Sequence, residues 1–262
     1  MNQGEKNEIL IKIYLCYLRD KTIKTKLFGK INKVGFQDEY GTTNWSEVNF
    51  GELEYDEENI KKLADILEIS KSKPSYKADI KINNIFYSLK FTGSGKPTIV
   101  NHTSRLGWLN IANLKNLNIS DLDNIISQYW KLRAKGEISE DCPNFHDKSP
   151  FNNKKEIIKP YLDYFLFEGS GQGVSDYPAE KILNFKFFNK PDVWKIYGRE
   201  YLDENWDKLY FCLRYKKGIM PINQKAYDSN KNKKAISPWI KLFKGSKGKP
   251  KFRGALHVRV GK

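Results

Sequence analysis

The amino-acid sequence predicts a mixed α/β protein, and three observations carry that expectation. Residues 4–19 form one long, largely apolar stretch suited to a first helix, and Ile60, Leu63 and Leu67 recur at helical spacing within 56–69. Ile80 and Ile82, then Ile85, Tyr87 and Leu89, alternate with polar residues on either side of Asn83-Asn84, the pattern of two half-buried strands joined by a two-residue turn. Further on, helical stretches at 118–134 and 154–167 alternate with strand-like runs at 208–216 and 254–260.

Size and charge narrow the function. A chain of 262 residues can bury a sizeable core, and 46 Lys and Arg against 31 Asp and Glu leave a formal charge of +15. That excess exceeds what solubility requires and points to a polyanionic partner. Nucleic acid is favoured over a membrane surface because no basic amphipathic helix and no long apolar run is present. An AT-rich genome, which inflates Lys, Asn and Ile, is the alternative source of the same bias. Cys16, Cys142 and Cys212 are odd in number and in no close pair, which argues against a disulfide framework or a structural zinc site. With no signal-like start, cytoplasmic residence is the expectation.

Each element has a local reason. Gly4 enters the first helix, Glu5 and Glu8 lie in its early turns where the helix dipole favours acids, and Asp20-Lys21 end it. Glu8 shares a face with Ile11, Lys12 and Leu15, which turns it toward the interior. Glycines at 29, 35 and 41 break residues 23–49 into a hairpin or loop region, and Asp56-Glu57-Glu58 favour the N-terminus of the helix at 56–69. Ser120 is the expected N-cap of the helix at 118–134. The stretch 136–153, with Cys142-Pro143 and Ser149-Pro150, is the expected boundary between a catalytic part, 1–135, and a basic C-terminal DNA-recognition part, 136–262, packed on the same core.

The hairpin carries the chemistry. Asp79, Ser88 and Lys90 lie off its apolar register and share the other face if the strands pair antiparallel. A carboxylate and an ammonium so placed can hold a divalent metal and orient a water for phosphodiester hydrolysis. Asp79 is the expected Mg²⁺ ligand and Lys90 the group that activates water and contacts phosphate. Because one carboxylate binds Mg²⁺ poorly, a second acid, Glu8 or Glu5, is expected from the first helix. Beyond Lys90 no acid occurs before Asp121, so Lys96, Asn101, His102 and Arg105 are candidate DNA contacts, joined by Lys247, Lys249 and Arg253 in the basic C-terminal stretch. Gly93-Ser94-Gly95-Lys96 lacks the spacing of a nucleotide phosphate loop. His102 and His146 lack the setting of a His-metal nuclease.

Asp79 followed by Ser88-Leu89-Lys90, with Gly4-Glu5 and Glu8 upstream, resembles the PD-(D/E)XK motif of type II restriction endonucleases of the HpaII-like kind. The resemblance covers the first helix and residues 76–105. Ala78 stands where a proline often precedes the aspartate, and Ser88 where an acid is usual. The resemblance implies a restriction-endonuclease-like core, a central mixed sheet flanked by helices. It also implies Mg²⁺-dependent cleavage of double-stranded DNA at a short specific sequence, with Mn²⁺ able to substitute, and a cognate DNA methyltransferase as functional partner. Asp79 then corresponds to the metal-binding aspartate, Lys90 to the motif lysine and Glu8 to the helix-borne acid, with Ser88 in the catalytic set. A symmetric homodimer is the expectation for cutting a palindrome. Two other readings remain open on residues alone: a non-catalytic nucleic-acid-binding protein in which Asp79 and Lys90 form a cross-strand ion pair, and a structure-specific or repair nuclease.

Overall fold

The computed structural model describes residues 1, 3–69, 72–73, 75–93, 95–221, 223–229, 238–244 and 250–261. The chain opens with helix α1 (Gln3–Asp20), close to the span expected. Leu10, Ile11, Ile13, Leu15, Cys16 and Leu18 along it are buried, and each fully buried Leu or Ile contributes about 1.5–3 kcal/mol. At its end Arg19 donates to the carbonyl of Tyr40 at 2.7 Å, and Trp45 Nε1 donates to Asp20 at 2.8 Å, so the following loop is tied back to the helix.

Strand β1 (Val34–Gly35) is short, and helices α2 (Phe50–Leu53) and α3 (Glu57–Ile66) follow. Asp56 caps α3 by accepting from Asn59 N at 2.9 Å. The hairpin comes next as β2 (Ile80–Ile82) and β3 (Ile85–Phe91). It pairs antiparallel with Ile80 opposite Tyr87 and Ile82 opposite Ile85. The turn between them places Asn83 and Asn84 at φ of 48° and 73°, left-handed backbone that asparagine tolerates better than most residues. Asn83 also accepts from the N–H groups of Asn32 and Lys33 at 2.8 and 3.2 Å and donates to the Lys30 carbonyl at 3.0 Å. One side chain thus fixes both the turn and the loop leading to β1.

From there the chain runs through β4 (Thr98–Thr103), α4 (Arg105–Lys115), α5 (Ile119–Ala134), β5 (Cys142–Pro143) and α6 (Lys155–Asp163). A π-helical turn at Tyr164–Glu168 leads to the small hairpin β6 (Gly169–Ser170) and β7 (Gly173–Val174). It continues as β8 (Lys181–Phe185) and β9 (Lys195–Tyr197), then α7 (Tyr201–Asn205), β10 (Leu209–Arg214), α8 (Gln224–Asp228), β11 (Lys241–Lys244), β12 (Pro250–Arg253) and β13 (Ala255–Val260).

Two compact units result, each assembled from two segments: Met1–Gly95 with Ser175–Tyr201, and Lys96–Val174 with Leu202–Lys262. The first holds a mixed sheet in the order β1-β2-β3-β8-β9, in which β3 and β8 run parallel and the other pairs antiparallel. Helices α1 and α3 share its apolar core: Leu10, Leu15, Ile60 and Leu63 cluster with Ile80, Ile82, Tyr87 and Leu89. The second unit holds an antiparallel sheet in the order β4-β13-β10-β5.

Three expectations are corrected. The division does not fall after residue 135, because β8 and β9 return to pair beside β3 and so belong with the hairpin. The cap of α5 is Asn118, whose side chain accepts from Ser120 N at 3.1 Å, and not Ser120 itself. The acid-free stretch after Lys90 is not one phosphate-facing loop but contains β4, the whole of α4 and the start of α5.

Because Asn83 combines a left-handed backbone with three side-chain hydrogen bonds, Asn83→Ala should cost about 2–4 kcal/mol in urea denaturation. Asn84→Gly in the same turn should be neutral or stabilising by about 0.5 kcal/mol.

Candidate active site

Past the Ile80–Tyr87 pair the ladder gives out, and Asp79 takes over its role. The Asp79 backbone N–H donates to the Tyr87 carbonyl at 2.8 Å, and its carboxylate Oδ2 accepts the Leu89 N–H at 2.7 Å. A side chain therefore supplies the acceptor that the next residue of a longer β2 would have supplied, as a charge-assisted bond. Ser88 Oγ donates to the same oxygen at 3.3 Å, and Ser72 Oγ donates to Oδ1 at 3.1 Å. The segment before Asp79 is held as firmly: Lys77 N and Ala78 N both donate to the Tyr177 carbonyl, at 3.1 and 3.0 Å.

The antiparallel register puts Ser88 and Lys90 on the face opposite Tyr87 and Leu89, with Asp79 across from Ser88. Ser88 is buried and Lys90 half-buried. Among the described residues, no ion pair joins Asp79 to Lys90; the carboxylate is held by an N–H and two hydroxyls.

A second amine, absent from the sequence expectations, belongs to this face. Lys77 is pushed down to about 8, first by burial and then by the charge of Lys90, with Asp79 pulling the other way. It stands two residues before Asp79 at a bend ahead of β2, where strand alternation gives no signal for it.

Glu8 lies on α1 and pairs with Lys12 at 2.7 Å, one turn on, the ammonium of Lys12 being completely buried. Tyr40 connects the helix to the hairpin electrostatically. Its buried hydroxyl is pushed up by burial first, then by the charges of Cys16, Glu8 and Asp79, so Glu8 and Asp79 act on one phenol. Glu5 is half-buried in the first turn of the helix. Among the described residues, no group of three or more His, Cys, Asp or Glu side chains is gathered to hold a metal, so Asp79, Glu8 and Glu5 do not form a three-ligand cluster. The oxygen chemistry of Asp79 and Glu8 nevertheless suits Mg²⁺, which keeps several waters and takes one or two carboxylates together with substrate phosphate. Asp79 Oδ1, with a single hydroxyl donor, retains a lone pair for such an ion.

The candidate DNA contacts lie in the second unit. Arg105 is corrected: it is buried and donates to Asp123 through two parallel bonds, Nε to Oδ1 at 2.8 Å and Nη2 to Oδ2 at 2.6 Å. Trp239 Nε1 donates to Asp123 as well, at 2.7 Å. Arg253 is paired to Glu140. Lys96 sets its ammonium over the Tyr210 ring, 2.9 Å from the centroid, and Asn101 is exposed on β4. His102 is half-buried against His257, ring centroids 4.6 Å apart. Lys247 and Lys249 lie outside the described residues.

In comparisons with protein-family models, curated proteins and solved structures, nothing matches the chain. No described helix is long and apolar enough to cross a membrane.

Two stability outcomes follow from these pairs. Glu8→Ala, which removes a charged partner from the buried Lys12, should cost about 3 kcal/mol, and the double variant E8Q/K12M should recover most of it in thermal melts. Arg105→Ala should cost about 2–4 kcal/mol by leaving the half-buried Asp123 carboxylate without its bidentate partner, as read in thermal melts.

Proposed function

We propose that this chain is a Mg²⁺-dependent endonuclease of the PD-(D/E)XK restriction type, hydrolysing double-stranded DNA at a short specific sequence. The observation that carries the reading is the shared face of Asp79, Ser88 and Lys90 on the hairpin, with the Asp79 carboxylate held in place by Leu89 N–H and two hydroxyls. The mixed sheet bearing helices and the +15 charge are consistent with it.

In this reading Asp79 and Glu8 would hold the ion, which would supply charge neutralisation at phosphorus and a more acidic water. Leu89 N–H and the hydroxyls of Ser72 and Ser88 fix the Asp79 carboxylate, so its oxygens are oriented before substrate arrives. Lys90 presents an ammonium to the phosphate oxygens, where negative charge grows as the water oxygen adds to phosphorus and a P–O ester bond breaks. Lys77 adds a second amine on the same side. Ser88, in the place of a usual second acid, acts by holding Asp79 and not as a ligand. A cognate methyltransferase protecting host DNA, a symmetric homodimer and cytoplasmic residence belong to the same proposal.

The test is cleavage of unmethylated phage DNA by the purified chain with MgCl₂, where discrete fragments are expected. Asp79→Ala and Lys90→Ala should each lower cleavage by about 10³-fold or more while leaving duplex affinity nearly unchanged, whereas Ser88→Ala should lose about tenfold or less because Leu89 N–H still holds the carboxylate. Intact DNA with both Mg²⁺ and Mn²⁺, alongside salt-sensitive duplex binding, would instead make the protein a non-catalytic binder. Cleavage confined to flaps or junctions would make it a structure-specific nuclease.

A further inference from the structure

The polar face of the second unit's sheet holds a cluster that the nuclease site does not use. Across β10 and β13, Tyr210 pairs with Arg259, Cys212 with His257 and Arg214 with Ala255, alternating with the apolar pairs Leu209–Val260, Phe211–Val258 and Leu213–Leu256. One face is therefore core and the other carries Arg214, His257 and Arg259. Strand β4 adds His102 by a bulge. Between the Leu256–Thr103 and Val258–Val100 pairs, β4 has one residue more than β13, and His102 takes up the excess at φ 44°. A non-glycine residue held left-handed at a bulge is a device for re-aiming a side chain, here onto the His257 ring.

The charges around the two rings do not balance. Arg214 and Arg259 pair with Asp141 at 2.9 and 2.8 Å, Arg214 also reaches Glu140 at 3.5 Å, and Arg253 pairs with Glu140. Three guanidinium groups thus share two carboxylates, with Lys216 close enough to act on His102. Both imidazoles register the excess. His102 is held below its usual value by burial, then by Arg214, Lys216 and Arg259; His257 is pushed down to about 4 by burial, then by His102, Arg259 and Arg214.

Several polar atoms here are buried with no protein partner: Arg253 Nε, Arg259 Nε and His257 Nδ1, the last on a side chain only 9% exposed. Unpaired guanidinium N–H groups in a cluster with surplus positive charge around two imidazole rings form a receptor for an oxyanion.

We propose that this face, built by Arg214, Arg253, Arg259, His257 and His102, binds a phosphate group. The proposal needs no part of the nuclease reading. The shared chemistry is the phosphate oxyanion, whether carried by free phosphate or by a nucleic-acid backbone.

Histidine ring NMR tests it on the full chain, which contains only three histidines. Exposed His146 serves as internal control. Inorganic phosphate should shift the His102 and His257 resonances saturably, leave His146 in place and raise the apparent pKa of His257 by about one unit or more, while KCl at equal ionic strength should not. Arg259→Gln should weaken phosphate binding about tenfold; if that variant does not fold, Lys216→Gln should weaken it about threefold. A short DNA duplex producing the same shifts, in competition with phosphate, assigns the backbone as the source. Shifts with phosphate alone assign a free phosphate compound. Unmoved His102 and His257 with both probes, equal shifts with chloride, or phosphate binding unaffected by the folded variants would overturn the proposal.

Discussion

One hydrogen bond organises the first unit: the Leu89 N–H donating to the Asp79 carboxylate at 2.7 Å. β3 is an interior strand, paired to β8 on its other side, so an unmet N–H there would be costly. Asp79 meets the need from a position just outside β2. The carboxylate that closes the ladder is for that reason already oriented, and the hydroxyls of Ser72 and Ser88 hold it as well.

A double use appears on α1. Glu8 neutralises a buried Lys12 and also acts on Tyr40, so its charge is required by the core whatever else it does. Cys16, on the same helix, is pushed up to about 12 mainly by burial, which leaves the thiol protonated and unreactive at neutral pH. All three cysteines are buried, in agreement with a chain that uses them as small apolar residues.

Local periodicity made much of this legible. The hairpin, α1, α3 and the strands β10 and β13 lie where alternation or helical spacing puts them, because one face of each meets a core. The Asp79–Ser88–Lys90 face followed from parity alone. What could not be read were pairings between distant segments. Arg105, in an acid-free run, looked available for phosphate, but Asp123 lies one helix further on and closes on it. The bulge at His102 inverts the direction that alternation would assign, and the strand pairing with β3 on its other side comes only after the whole of the second unit's first segment.

That last arrangement has a temporal side. The Phe86 N–H donates to the carboxylate of Glu180, 94 residues later, and β8 must arrive before β3 has two neighbours. On a ribosome, the N-terminal hairpin would emerge with an open strand edge and wait for residues 181–185 while the intervening segment is made. Closing so long a loop is slow, and a parallel pairing rewards it late. The face of Asp79, Ser88 and Lys90 would therefore stay incomplete in the nascent chain until residues 181–185 have been made.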